Sequence, residues 1–107
     1  MVAQKSDFPQ ARLHALWTLE GLSALDPQMV VAALRDTHPR VREHALRLAE
    51  PFGAAPGVIS TAVALRNDPE PRVAFQLAFT LGEFKDPRAL VALTDLARDH
   101  AVAPEAQ

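Results

Sequence analysis

Histidines and aspartates are the side chains here whose types and spacing could do chemistry. His14 and His44 each open a His-Ala-Leu triplet, thirty residues apart. Equivalent positions on two stacked helices lie about 10 Å apart, too far to share one metal at ligand distances of about 2 Å. The spacing predicts surface histidines, one per structural unit. Asp26, Asp36, Asp68, Asp86 and Asp99 recur at what read as helix junctions. A carboxylate there caps free backbone N–H groups and pairs with a guanidinium, with Arg40, Arg72 and Arg88 as the expected partners. No Ser-His-Asp set is present, and Gly53 and Gly57, flanking Pro56, lack the Lys-Ser/Thr that a phosphate loop requires. There is no cysteine, which excludes disulfides, thiolate metal sites, cysteine nucleophiles and covalently attached haem. The reading is a protein that is not an enzyme and holds no metal or cofactor.

The elements that carry these residues repeat. Asp36-Thr37-His38-Pro39-Arg40-Val41 returns as Asp68-Pro69-Glu70-Pro71-Arg72-Val73, and Leu34, Leu65 and Leu96 are each 31 residues apart. Self-similarity at a period of 20–50 residues marks a repeat array. Three units follow, at about 7–36, 37–67 and 68–99, in one domain spanning 1–107, with 100–107 as a fraying tail. The first helix starts near Pro9, capped by Ser6 or Asp7, and closes at Gly21 with Ser23-Ala24. Asp26-Pro27 begins a second helix carrying Val30, Val31 and Leu34. The next runs from about His38 to Glu50, broken by Pro51 and Gly53. Ala54-Ala55-Pro56-Gly57 is the expected turn before a helix carrying Ile59, Ala62 and Leu65. The third unit opens at Asp68-Pro69, holds Val73, Leu77, Leu81 and Phe84, and turns at Lys85-Asp86-Pro87. It continues through Leu90, Leu93, Leu96 and Ala97. No strand pattern competes, so the class is all-α with six helices in three antiparallel pairs.

These residues, with Leu81-Gly82-Glu83-Phe84-Lys85-Asp86-Pro87-Arg88-Ala89-Leu90, resemble HEAT-like repeats in their short variant, also found in phycobilin-lyase-like proteins. The resemblance covers about Pro9 to Asp99. It implies a right-handed α-solenoid of three helical hairpins and a scaffold or protein-interaction role. Some HEAT-like enzymes hold a di-iron centre on His-Glu pairs, but here the order is Glu43-His44 and no His-Glu dipeptide occurs. A narrower stretch, Ala11-Arg12-Leu13-His14-Ala15-Leu16-Trp17 followed by His38-Pro39-Arg40-Val41-Arg42-Glu43-His44, looks like the HEAT region of large exported bacterial dehydrogenases. In those proteins a propeller precedes the repeats and a c-type haem domain follows them. That resemblance implies a domain-positioning segment and an exported setting. A chain complete in itself would be cytoplasmic.

The chain has 107 residues and a formal net charge of −2, which gives no electrostatic case for nucleic acid or an anionic membrane. Nine arginines against two lysines suit fixed ion pairs. At about 100° per residue, Ala11, Ala15, Thr18 and Leu22 mark the expected buried face of the first helix. Leu13 and Trp17 then point away from it, with Glu43 and Arg47 as counterparts in the second unit and Phe75 and Phe79 in the third. Leu13, Trp17, Arg47, Phe75 and Phe79 are the candidate partner-binding residues, since aromatic and Arg side chains dominate docking energetics. Arg35, Arg66 and Arg98, near the expected ends of successive second helices, suit the helix macrodipole there. Open solenoid ends expose apolar faces, so end-to-end self-association is a further expectation beside an unnamed protein partner.

Overall fold

Each of the six described α-helices begins at a proline. The structure, a computed structural model, describes the backbone of residues 8–105 and the side chains of residues 8–98. In it α1 spans Pro9–Gly21, α2 Pro27–Leu34, α3 Pro39–Ala49, α4 Pro56–Ala64, α5 Pro71–Phe84 and α6 Pro87–Glu105. The proline ring presets the helical φ, and the N–H it lacks would have no partner in a first turn. Short 3-10 turns, Glu50–Phe52 and Leu65–Asn67, follow α3 and α4. Pro56 and Gly57 therefore open α4 instead of forming the turn, and the expected tail from His100 continues α6 to Glu105. The cap expected from Ser6 or Asp7 lies outside the described residues; Phe8 takes the cap position, where its side chain caps no backbone N–H.

The first helices stack in one layer and the second helices in another. α3 packs against α1, α2 and α5, while α4 packs against α2, α5 and α6. The stack is elongated, 43 × 28 × 18 Å. One continuous core runs through all three units, with Leu34, Leu46, Ile59, Leu77 and Leu81 fully buried. Gly53 is required for space: a Cβ there would stand 2.8 Å from Cδ1 of Phe84, the last residue of α5. At the corresponding bends of units one and three, Ser23 and Lys85 adopt φ of 57° and 55°, the left-handed geometry that ends many helices.

The buried face of α1 differs from the expected one. Arg12 and Leu16 are its buried residues, flanked by half-buried Ala15 and Leu19. Ala11, Thr18 and Leu22 are exposed, Leu22 by 71%. The physical reason is position in the stack. Their counterparts Val41 and Leu48 in α3, and Val73, Thr80 and Phe84 in α5, are buried because a preceding unit covers them. Unit one has no described neighbour on that side. Leu90, expected inside, is likewise 52% exposed on α6, whereas Leu96 is buried.

Leu46 and Leu77 lie at the centre of the seam between stacked units. Leu46→Asp or Leu77→Asp should abolish the cooperative far-UV melt, because an unpaired buried charge costs several kcal/mol, about the whole stability of a small domain. Arg47→Ala, at a side chain that faces solvent, should keep it. Residues 1–67 alone should be largely unfolded by circular dichroism. Loss of α5 uncovers Leu46 and leaves two units, fewer than the roughly three that repeat arrays need.

Candidate functional site

The aspartates of the junctions are structural, but their partners are not the nearby arginines. Asp36 receives a bidentate pair from Arg12 of the preceding unit, Nε to Oδ2 at 2.8 Å and Nη2 to Oδ1 at 2.9 Å. Arg42 makes the same contact with Asp68, at 2.7 and 3.2 Å, and its Nη1 also donates to the carbonyls of Asp36 and Thr37. Among the described residues neither Arg40 nor Arg72 takes part in an ion pair; Arg88 does pair with Asp86 as expected. Asp36, Asp68 and Asp86 each also accept from the backbone N–H two residues on, an Asx turn. Asp26 caps in the usual i+3 manner, through Met29 N–H. The side chain of Asp99 lies outside the described residues. Burial alone would raise the Asp36 carboxyl, but the Arg12 hydrogen bonds, the His38 N–H and the charges of Arg12 and His38 outweigh it. The net effect holds the group below its usual value.

A second line of polar contacts runs along the opposite margin of the first helices. Trp17 Nε1 donates to His44 Nδ1 at 3.1 Å, with the rings edge to face at 6.0 Å between centroids. One unit later, Arg47 Nε donates to Gln76 Oε1 at 3.1 Å. Trp17 and Arg47 are equivalent positions, as are His44 and Gln76, so one contact is made twice with different chemistry. Gln76 Nε2 then donates to Thr80 Oγ1. The fully buried Thr80 hydroxyl stands 3.1 Å from both the Leu46 carbonyl and Glu50 Oε2, with one proton to give.

These contacts redefine the candidate row. Trp17, 39% exposed, and Arg47 share a groove of about 340 Å³ with Glu20, Leu25, Leu48 and Phe52. Leu13 is half-buried and lines a separate, smaller groove with His38 and Arg40. Phe75 and Phe79, 70% and 61% exposed, meet edge to face at 5.3 Å on unit three. The row is thus an inter-unit seam in the first two units and an open surface in the third. Sequence reasoning missed His44, which it placed on the surface; its place opposite Trp17 follows only from the stacking. Arg98 is no helix-end residue, because α6 continues past it, and it pairs with Asp95 at 2.7 Å. Arg35 and Arg66 make no ion pair among the described residues.

Among the described residues no three His, Asp or Glu side chains converge as a metal site would require. No described helix is long and apolar enough to cross a membrane. A family profile of HEAT repeats matches residues 27–105. The chain belongs to the HEAT repeat family. Comparison with curated proteins and with solved structures returned no match. HEAT repeats generally mediate protein–protein interaction or scaffolding and are typically non-catalytic, and this HEAT array shows the stacked hairpins that such a role uses.

His44 links pH to this seam. Its partial burial, followed by the Arg47 charge, lowers its pKa below the usual 6.5; Glu43 opposes and Arg40 assists. A folded-state pKa below the unfolded one means that the unfolded chain binds more protons, so the contribution is present above 6.5 and is lost as pH falls through the folded value. Protonation also removes the Nδ1 lone pair that accepts from Trp17. The chain has one Trp and no Tyr. Its emission should therefore quench and shift to the red as pH falls below the usual histidine range, with His44→Gln abolishing the transition.

Proposed function

We propose that this HEAT array is a non-catalytic protein-docking module and that the groove between Trp17 and Arg47 receives the partner. The carrying observation is the pre-organisation of the two side chains. Trp17 is fixed by His44 and Arg47 by Gln76, both across unit boundaries and both still open to solvent. Ordering that is already complete in the free protein does not have to be supplied on binding. The groove offers an aromatic and aliphatic floor from Trp17, Leu25 and Phe52, beside a guanidinium donor. It fits a short segment that presents an apolar side chain followed by a carboxylate or carbonyl acceptor. Leu13 lies in the neighbouring groove and extends the same seam.

The test is a pull-down with the intact chain, followed by titration of the recovered partner while the single Trp is monitored. Binding should shift Trp17 emission to the blue. Trp17→Ala with Arg47→Ala, which lacks the reporter and is titrated by calorimetry beside the parent, should weaken binding roughly 30-fold or more, about the 2 kcal/mol of a hot-spot truncation. Unchanged affinity in that variant, with an unchanged melt, would place the docking surface elsewhere on the array.

A further inference from the structure

Among the described residues the forward face of unit three is uncovered, whereas the same face of units one and two is filled. In unit one, Arg12, Leu16 and Trp17 face forward onto the next unit; in unit two, Arg42, Leu46 and Arg47 do the same. The side chains that cover them come from the following first helix: His44 with Val41 and Leu48, then Gln76 with Val73 and Thr80. The forward-facing set of unit three is Ala74, Ala78 and Phe79, with Phe75 beside them. Here a groove of about 290 Å³ opens between α5 and α6, lined by Ala74, Phe75, Ala78, Leu93 and Leu96. Phe75 stands exposed in its lining, and Phe79, exposed as well, meets it edge to face. The position that carries the ion-pairing Arg12 and Arg42 is Ala74, so an occupant needs no acidic residue to complete a staple.

The other end of the molecule carries the matching half. Ala11, His14, Thr18 and Leu22 of α1 occupy the positions of Val41, His44, Leu48 and Phe52, and all four are exposed. Ala11 and Thr18 are small, so α1 can approach a groove that Phe75 lines.

We infer that the open groove of unit three takes α1 of a second copy of this chain, head to tail, as a continuation of the stacking in the two internal joints. In that joint His14 of one copy lies against Phe79 of the other, as His44 lies against Trp17 and Gln76 against Arg47. The contact joins two different surfaces, so it does not close into a two-fold dimer and adds copies at both ends.

Sedimentation velocity on the full chain, from about 10 µM to about 1 mM, reads this directly. The mass should rise with concentration through dimer and larger species. Phe75→Asp with Phe79→Asp closes one end, and Ala11→Asp with Leu22→Asp closes the other. All four sites are exposed, so both variants should keep the parent far-UV spectrum, and Ser replaces Asp in any variant that does not. Each variant alone should be monomeric, and an equimolar mixture should form a dimer and nothing larger, because one compatible joint remains. A wild-type monomer across the whole range would overturn the proposal and leave the groove to a different chain. Dimers of the Ala11/Leu22 variant by itself would overturn it in favour of groove-to-groove pairing. A mixture that stays monomeric would overturn it as well.

Discussion

A first helix in this array has apolar surface on two opposite sides, and its own unit supplies cover for only part of it. The rest must come from the helix of the next unit. Leu46 of α3 and Leu77 of α5 are fully buried because the two helices lie side by side. Either helix alone would leave that stripe in water, at about 25 cal/mol for each Å² of apolar area. Stability therefore resides in the joints between units. The prolines, the Asx turns and the left-handed bends at Ser23 and Lys85 bring the helices to the joint without supplying much of its energy.

Apolar stacking by itself is tolerant of sliding and rotation, since one aliphatic surface fits another in several registers. The bidentate pairs Arg12–Asp36 and Arg42–Asp68 remove that tolerance. Each fixes a residue of one unit to the loop that launches the next, and the same carboxylate orders that loop through a backbone N–H. Arg42 goes further, since its third nitrogen holds the carbonyls of Asp36 and Thr37. One side chain thus ties together the loops before α3 and α5. Removing one partner of such a nearly buried pair strands the other charge, at about 3–5 kcal/mol.

Much of the architecture was legible because it depends on local chemistry. Six prolines at helix starts, aspartates at junctions and leucines 31 residues apart all act within a few residues of themselves. Two kinds of fact were not legible. The first is which apolar stripe is covered: Ala11, Thr18 and Leu22 have the spacing of their buried counterparts, and periodicity carries no information on whether a neighbour exists. The second is pairing at a distance. Arg40 and Arg72 sit close to the junction aspartates in sequence, yet Arg12 and Arg42, 24 and 26 residues before their partners, take the carboxylates. Helix rotation decides this: Arg12 lies on the inner face of α1, whereas Arg40 is exposed in the first turn of α3. The Trp17–His44 contact is hidden for the same reason: the sequence shows each residue singly but not their pairing across units.

The two polar lines do different work on either side of the apolar seam. On one margin the arginine–aspartate pairs repeat with the same chemistry, as a geometric lock should. On the other, a single geometric contact is made once by an indole on an imidazole and once by a guanidinium on an amide. Chemistry that varies while geometry is kept indicates that this margin is not selected for one bond. It also remains open to solvent, where a bond between exposed groups contributes little to stability. A side chain that is positioned but contributes little to the fold is available for recognition, and Trp17 and Arg47 meet both conditions. In unit three neither line is continued, with Ala74 in place of the arginine and Phe79 facing solvent. The array thus holds its internal joints in fixed register and presents its last forward face without one.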